Sequence, residues 1–259
     1  MEQKTMIEPH WKQRLYHEPL HGCFVTFSSP ALCEFTARMG FDFILIDNEH
    51  GAMNQETLED MVRASQCVEV PAIVRVPINR HEYIRRALDF GANGVQVPLV
   101  NTARQAREAV SASHFPPRGE RGVAFLTRAA NYGMCPDKAR YIEDADASKL
   151  VAVHIETPEA VANLDAILDV EGIDVLFIGP GDLAVSMGYA NSPNHPDVME
   201  TMENCIRRIS QAGKIAGTYV GDADRATMAI DWGATYLVTA ITPYMVQAGT
   251  QYLINARKR

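Results

Sequence analysis

The chain has 259 residues, 47% hydrophobic and 22% charged, a balance that suits one soluble globular unit with an ample core. A formal net charge of −8 argues against nucleic acid or anionic membrane as a partner. No apolar run approaches the ~18 residues of a membrane span. Glu2, Lys4, Glu8, Lys12, Arg14 and Glu18 make the first twenty residues too polar for a signal peptide. Cys23, Cys33, Cys67, Cys135 and Cys205 are scattered without a CxxC pair and read as reduced thiols of a cytosolic protein. Arg257-Lys258-Arg259 reads as a solvated end.

One punctuation mark recurs along the chain. Met39-Gly40, Phe90-Gly91, Glu171-Gly172, Ala212-Gly213 and Trp232-Gly233 each close a helical pattern just before an apolar, β-rich run. Repeated helix-Gly-strand joints predict βα units and a parallel sheet. Strands are expected at 22–27, 42–47, 72–76, 94–98, 150–155, 174–178, 215–220 and 235–240. Helices are expected near 30–39, 55–68, 80–90, 102–113, 158–168, 197–212, 222–232 and 242–256. Eight such units without a break in composition predict one α/β domain over 1–259, a closed (β/α)8 barrel. Two connections are long enough to suggest function. Residues 113–149 hold HFPPRGERG and a short helix from Pro136 to about Asp144; residues 184–196 hold the turn-rich Asn191-Ser192-Pro193-Asn194.

The stretch from Leu150 to Leu183 reads as strand, helix, strand, with an acid where each strand runs out. Val151–Ile155 stop at Glu156; Thr157 caps a helix that starts at Pro158. Val175–Ile178 end at Gly179-Pro180-Gly181, just before Asp182. Parallel neighbours deliver both carboxylates to the carboxyl edge of the sheet, where such folds place their chemistry. Two bare carboxylates repel, and a cation between them resolves this; the bland alternative is that each caps the following helix. Gly179–Asp182 opens a helix, so its backbone N–H groups can hold an anion or simply make a tight turn. Oxygen-only ligation suits Mg²⁺, with Mn²⁺ or Co²⁺ as substitutes, and the cysteine spacing disfavours structural zinc.

Other polar residues collect at the same predicted edge. Strand 2 ends at Asp47, followed by Glu49 and His50, and Asp47 is close enough in sequence to orient the imidazole. The alternative for His50 is a histidine satisfied within its loop. Arg75 closes strand 3 and either pairs with a rim carboxylate or binds an anionic substrate. Glu49 is a second carboxylate of the site or points away; Gln96 and Pro98 end strand 4. The six lysines are Lys4, Lys12, Lys138, Lys149, Lys214 and Lys258, and none falls at the carboxyl end of a strand. Imine chemistry is therefore not expected.

FDFILIDNEHG (41–51), AIVRVP (72–77), HFPPRGERG (114–122) and the run 153–189 resemble the HpcH/HpaI metal-dependent aldolases in order and spacing. The resemblance reaches the 4-hydroxy-2-oxoheptanedioate and 2-keto-3-deoxy-sugar-acid aldolases. It implies Glu156 and Asp182 as ligands of a divalent metal that a 2-oxo acid, usually pyruvate, chelates. It implies backbone amides of Gly181 and Asp182 on the substrate carboxylate, Arg75 on the developing enolate oxygen, and His50 with Asp47 managing the proton. Asp89 matches an acid that reaches a neighbouring subunit's site in family hexamers. His154 stands where the family usually has Gln, which bears on substrate binding, and AGTYVGDAD after strand 7 departs from the usual apolar form. The implied activity is retro-aldol cleavage of a 4-hydroxy-2-oxo acid; a metal-enolate decarboxylase and a catalytically retired 2-oxo-acid binder are its rivals.

Overall fold

The computed structural model describes residues 11–190 and 192–258. Expectations for residues 1–10, Asn191 and Arg259 lie outside the described residues. Eight parallel strands close on themselves in chain order: β1 (Leu20–Val25), β2 (Phe43–Asp47), β3 (Ala72–Arg75), β4 (Gly94–Val97), β5 (Leu150–Ile155), β6 (Val175–Ile178), β7 (Ile215–Tyr219) and β8 (Ala234–Ala240). The twelve α-helices are α1 (Trp11–Arg14), α2 (Pro30–Arg38), α3 (Gln55–Gln66), α4 (His81–Asp89), α5 (Ala103–Ser113), α6 (Lys138–Ser148), α7 (Pro158–Ala162), α8 (Leu164–Leu168), α9 (Pro180–Ser186), α10 (Pro196–Gln211), α11 (Ala223–Trp232) and α12 (Ile241–Ala256), among the described residues. The predicted (β/α)8 barrel is the observed one, and all five glycine joints turn left-handed, with φ between 73° and 107°.

Strand alternation splits the apolar residues into two cores. Outward residues such as Ile44, Ile46, Val74, Val95, Val153 and Ile155 pack against the helices. Inward residues, among them Phe43, Leu45, Ile73, Ala152, Val175, Phe177, Tyr236 and Val238, fill the lumen. Register then carries the site: Asp47 pairs with Arg75, Arg75 with Gln96, and Gln96 with Ala152. Ala152, His154 and Glu156 share the inward face of β5, each two residues nearer the carboxyl rim.

Three differences from expectation have local causes. The single helix over 158–168 is two, because Asn163 leaves helical geometry and its Nδ2 donates to the Asn101 carbonyl at 2.9 Å. The helix expected from Pro136 starts later, at Lys138, where Asp137 accepts from the amides of Ala139 and Arg140. Trp11 and Leu15, given no role in the sequence reading, join the lumen core next to Leu20.

Candidate active site at the carboxyl rim

Arg75 is the first organiser of the rim. Its Nε donates to Asp47 Oδ1 at 2.9 Å and Nη2 to Asp47 Oδ2 at 2.8 Å, a two-pronged match of fork to carboxylate. Nη1 lies 3.1 Å from Glu49 Oε2, and the guanidinium carbon sits 4.7 Å over the Phe24 ring. Asp47 also accepts from the amides of Glu49 and His50. Burial pushes the Asp47 carboxyl up, but Arg75 and these amides outweigh it and hold the group below its ordinary value. Glu49 is pushed the other way: burial outweighs the nearby Arg75 and raises it.

This arrangement corrects one expectation. Asp47 does not orient the His50 imidazole, because the Arg75 fork takes both of its oxygens. Its only bond to His50 is through the backbone N–H, at 3.3 Å. The imidazole is 63% exposed, with Nε2 3.9 Å from Glu49 Oε2, so Glu49 is the acid beside it.

Glu156 is the second organiser. Oε1 accepts from the Leu99 amide at 2.8 Å, and Oε2 faces His154 Nδ1 at 2.6 Å. Burial raises this carboxyl, but His154, the Leu99 amide and Arg75 together pull it below the ordinary range, so Glu156 is ionised at neutral pH. Each oxygen keeps a second lone pair for a cation. Gly179 is needed here: a Cβ built on it would stand 2.8 Å from Glu156 Oε2. Three residues on, Asp182 lies exposed in the first turn of α9, with no hydrogen bond or ion pair to its carboxylate among the described residues. Ser186 Oγ lies 2.9 Å from the Glu156 carbonyl oxygen and 2.6 Å from that of Asp182, so its single proton serves one carbonyl or the other. The amides of Gly181 and Asp182, in that first turn, have no helical acceptor, and the turn itself follows the carboxyl end of β6.

Among the described residues there is no cluster of three or more His, Cys, Asp and Glu side chains able to cage a metal. Two carboxylates remain as candidate oxygen donors, Glu156 and Asp182, and Gly179 leaves Glu156 Oε2 without a Cβ against it. Replacing Gly179 with Ala should push Glu156 aside and weaken Mn²⁺ binding about tenfold or more, read by calorimetric titration.

The structure does not bring Asp89 to this rim. It ends α4, at the amino side of its own barrel, where the Arg121 guanidinium holds it at 3.0 Å. Residues 113–149 also connect a helix end to a strand start and so lie at that far side. Lys149 stands there too: burial pushes it down to about 7, yet it precedes β5 and its Nζ donates to the Ala92 carbonyl. The imine-forming lysine excluded from sequence is absent from the carboxyl rim of the described barrel.

Sequence reasoning passed over the roles of Ser186, Tyr236 and the Leu99 amide, and noted Gln96 only as the polar end of a strand. Gln96 could have been found: it is polar in the otherwise apolar GVQV, at an inward register. A backbone amide on a loop leaves no such mark.

An eight-stranded parallel barrel that gathers an arginine fork and several acids at its carboxyl rim has the layout of an enzyme's catalytic face. The chain belongs to the HpcH/HpaI aldolase/citrate lyase family, whose model matches residues 20–245. It is 37% identical over 225 residues to a hydroxypyruvate/pyruvate aldolase of Roseobacter denitrificans, spanning 86% of this chain and 87% of that protein. It is 38% identical over 221 residues to a 2-keto-3-deoxy-L-rhamnonate aldolase of Salmonella gallinarum, spanning 85% and 82%. The crystal structure of a family protein from Burkholderia cenocepacia superposes with a TM-score of 0.91 at 33% identity, covering 97% of this chain and all of that one. Among the described residues no helix is long and apolar enough to cross a membrane.

Proposed function

We propose that this protein is a divalent-metal-dependent pyruvate aldolase, cleaving a 4-hydroxy-2-oxo acid reversibly to pyruvate, or a similar 2-oxo acid, and an aldehyde. The observation that carries the reading is the buried Arg75 fork, clamped by Asp47, on the same rim as the Glu156 carboxyl that the Leu99 amide and His154 hold in place. Relatives named as aldolases for hydroxypyruvate, pyruvate and a keto-deoxy sugar acid support it. Glu156 and Asp182 hold the metal, with Mg²⁺, Mn²⁺ or Co²⁺ all suited to carboxylate oxygens. A cation bound there supplies Lewis-acid withdrawal of electron density from the 2-oxo group.

The protein's own groups do the rest. Amides of Gly181 and Asp182 anchor the substrate carboxylate, as helix starts hold anions. Two of the five Arg75 N–H donors serve Asp47 and one faces Glu49, so one N–H on each Nη is left for the enolate oxygen. Cleavage breaks the C3–C4 bond, the 4-hydroxyl proton leaves as the aldehyde forms, and C3 later takes a proton. His50, exposed at the rim beside Glu49, is placed to exchange those protons with solvent.

The reading is tested by proton exchange at the pyruvate methyl group in D₂O. Exchange is expected with Mn²⁺, to be lost with EDTA and restored by added metal; exchange indifferent to EDTA sinks the reading. Pyruvate release from a 4-hydroxy-2-oxo acid, against CO₂ release from oxaloacetate, separates the aldolase from a decarboxylase.

A homo-oligomer, hexameric by resemblance, completes the proposal. Only Ile241 of α12 is buried, while Met245, Val246, Tyr252, Leu253 and Ile254 are exposed, an apolar surface that another copy would cover. Asp89 borders a hollow of about 340 Å³ with Arg85, Phe90, Arg128 and Tyr132, far from its own barrel's site, and the family resemblance assigns it to a neighbour's. Mixing inactive Asp89→Asn and Glu156→Ala subunits through a dissociation step should restore up to about a quarter of full activity, as expected when one site in four receives both intact residues at equal mixing. No recovery would place Asp89 outside catalysis. A cytoplasmic setting agrees with five unpaired cysteines, of which burial pushes Cys23 and Cys33 up to about 12 and Cys205 to about 11.

A further inference from the structure

The barrel lumen contains a line of polar side chains that the proposed chemistry does not use. Tyr236 on β8 places its hydroxyl 3.0 Å from Gln96 Oε1 on β4. Gln96 Nε2 lies 2.7 Å from His154 Nε2 on β5, and His154 Nδ1 lies 2.6 Å from Glu156 Oε2. Tyr236 and Gln96 are completely buried and His154 is 1% exposed, so the line runs through the buried lumen. It is a built feature: His154 stacks on Phe177 at 4.8 Å, and Tyr236 stacks on Phe43 at 4.5 Å. Gly217 makes room for the phenol, since a Cβ there would stand 2.9 Å from the Tyr236 ring.

The direction of each bond follows from the donor inventory. The Tyr236 hydroxyl has no acceptor other than Gln96 Oε1 among the described residues, so it donates there. Gln96 then turns its NH₂ to His154, and an amide NH₂ only donates, so His154 Nε2 accepts. The imidazole proton is thereby placed on Nδ1, aimed at Glu156 Oε2. Both ring nitrogens are taken by protein, which leaves His154 no atom for the substrate role that its position in the sequence suggested.

We infer that Tyr236 and Gln96 are positioning residues that act through His154, fixing it as the Nδ1–H tautomer so that Glu156 is held in the orientation that receives the metal. The inference rests on the proposed assignment of Glu156 as a metal ligand. A phenol on the far wall of the lumen thus sets the geometry of the rim, two side chains removed from the ion.

Two readouts test it without measuring turnover. In protein labelled with ¹⁵N-histidine, the His154 signals, identified by their absence from His154→Gln, should show Nδ1 protonated and Nε2 bare; the opposite pattern overturns the inference. Tyr236→Phe should weaken Mn²⁺ binding about tenfold, the scale on which outer partners of metal ligands act. In a His154→Gln background the same Tyr236→Phe change should alter Mn²⁺ affinity less than about twofold, because the connecting imidazole is gone. A tenfold loss in both backgrounds shows general damage to the barrel and overturns the inference, as does no loss in either. Wild-type protein that takes up no Mn²⁺ overturns the metal assignment itself, a result distinct from normal uptake that ignores Tyr236. Thermal melting of every variant reports whether the fold survives.

Discussion

Glu156→Gln should lower turnover about a thousandfold, equivalent to about 4 kcal/mol of lost charge stabilisation. The change alters no volume and leaves an amide oxygen to accept from His154 Nδ1 or the Leu99 amide, so the lumen stays filled. What disappears is the negative charge facing the space beside Gly179. Loss of activity should therefore come with loss of Mn²⁺ uptake in calorimetric titration and a melting temperature within a few degrees of the wild type. Ordinary turnover by this variant would sink the assignment of the metal site.

Arg75 carries two burdens, and its variants should separate them. Arg75→Lys retains the charge but cannot reproduce the fork that grips both oxygens of Asp47. It should lose about 10²–10³ in kcat, the scale of removing one donor aimed at a developing oxyanion. Arg75→Ala goes further, leaving Asp47, only 2% exposed, without its cation. Breaking one side of a buried pair costs about 3–5 kcal/mol, so the urea midpoint at pH 7 should drop accordingly. Acid dependence gives a second check. Asp47 has a lowered value when folded, so its contribution is full above the ordinary carboxylate range and is lost as pH falls below about 4. Glu49, raised by burial, runs oppositely: its ionisation costs stability as pH rises through that range. Without Arg75, the acid-induced fall due to Asp47 should vanish from the urea midpoints between pH 3 and 7.

How much of this could be read from the residues alone depends on whether the cause was local. Helix-Gly-strand joints are local, and they announced eight βα units within a residue or two at most strand boundaries. The rim was legible because polar residues stood at strand ends where strand pattern alone would place Val or Ile: Asp47, Arg75, Glu156. The partner of each was not. Asp47 was assigned to His50, three residues away, but its true partner is 28 positions on, adjacent only through the β2–β3 register. Proximity in sequence misled where strand pairing decides. Tyr236 looked like any aromatic in a strand, and its contact with Gln96 spans 140 positions across a closed barrel. The side on which residues 113–149 emerge likewise follows from closure, not from their composition.

Leu99 has φ 53°, an unusual conformation for a branched side chain, and this turn presents its amide to Glu156 while the side chain stays 54% exposed. The two halves of the residue are thus uncoupled. Side chains that tolerate this left-handed turn can change at 99 while the main chain keeps its grip on the carboxylate. Proline is excluded, lacking the hydrogen and unable to adopt the angle. Change at this exposed position is thus compatible with an unaltered hold on Glu156 beneath it.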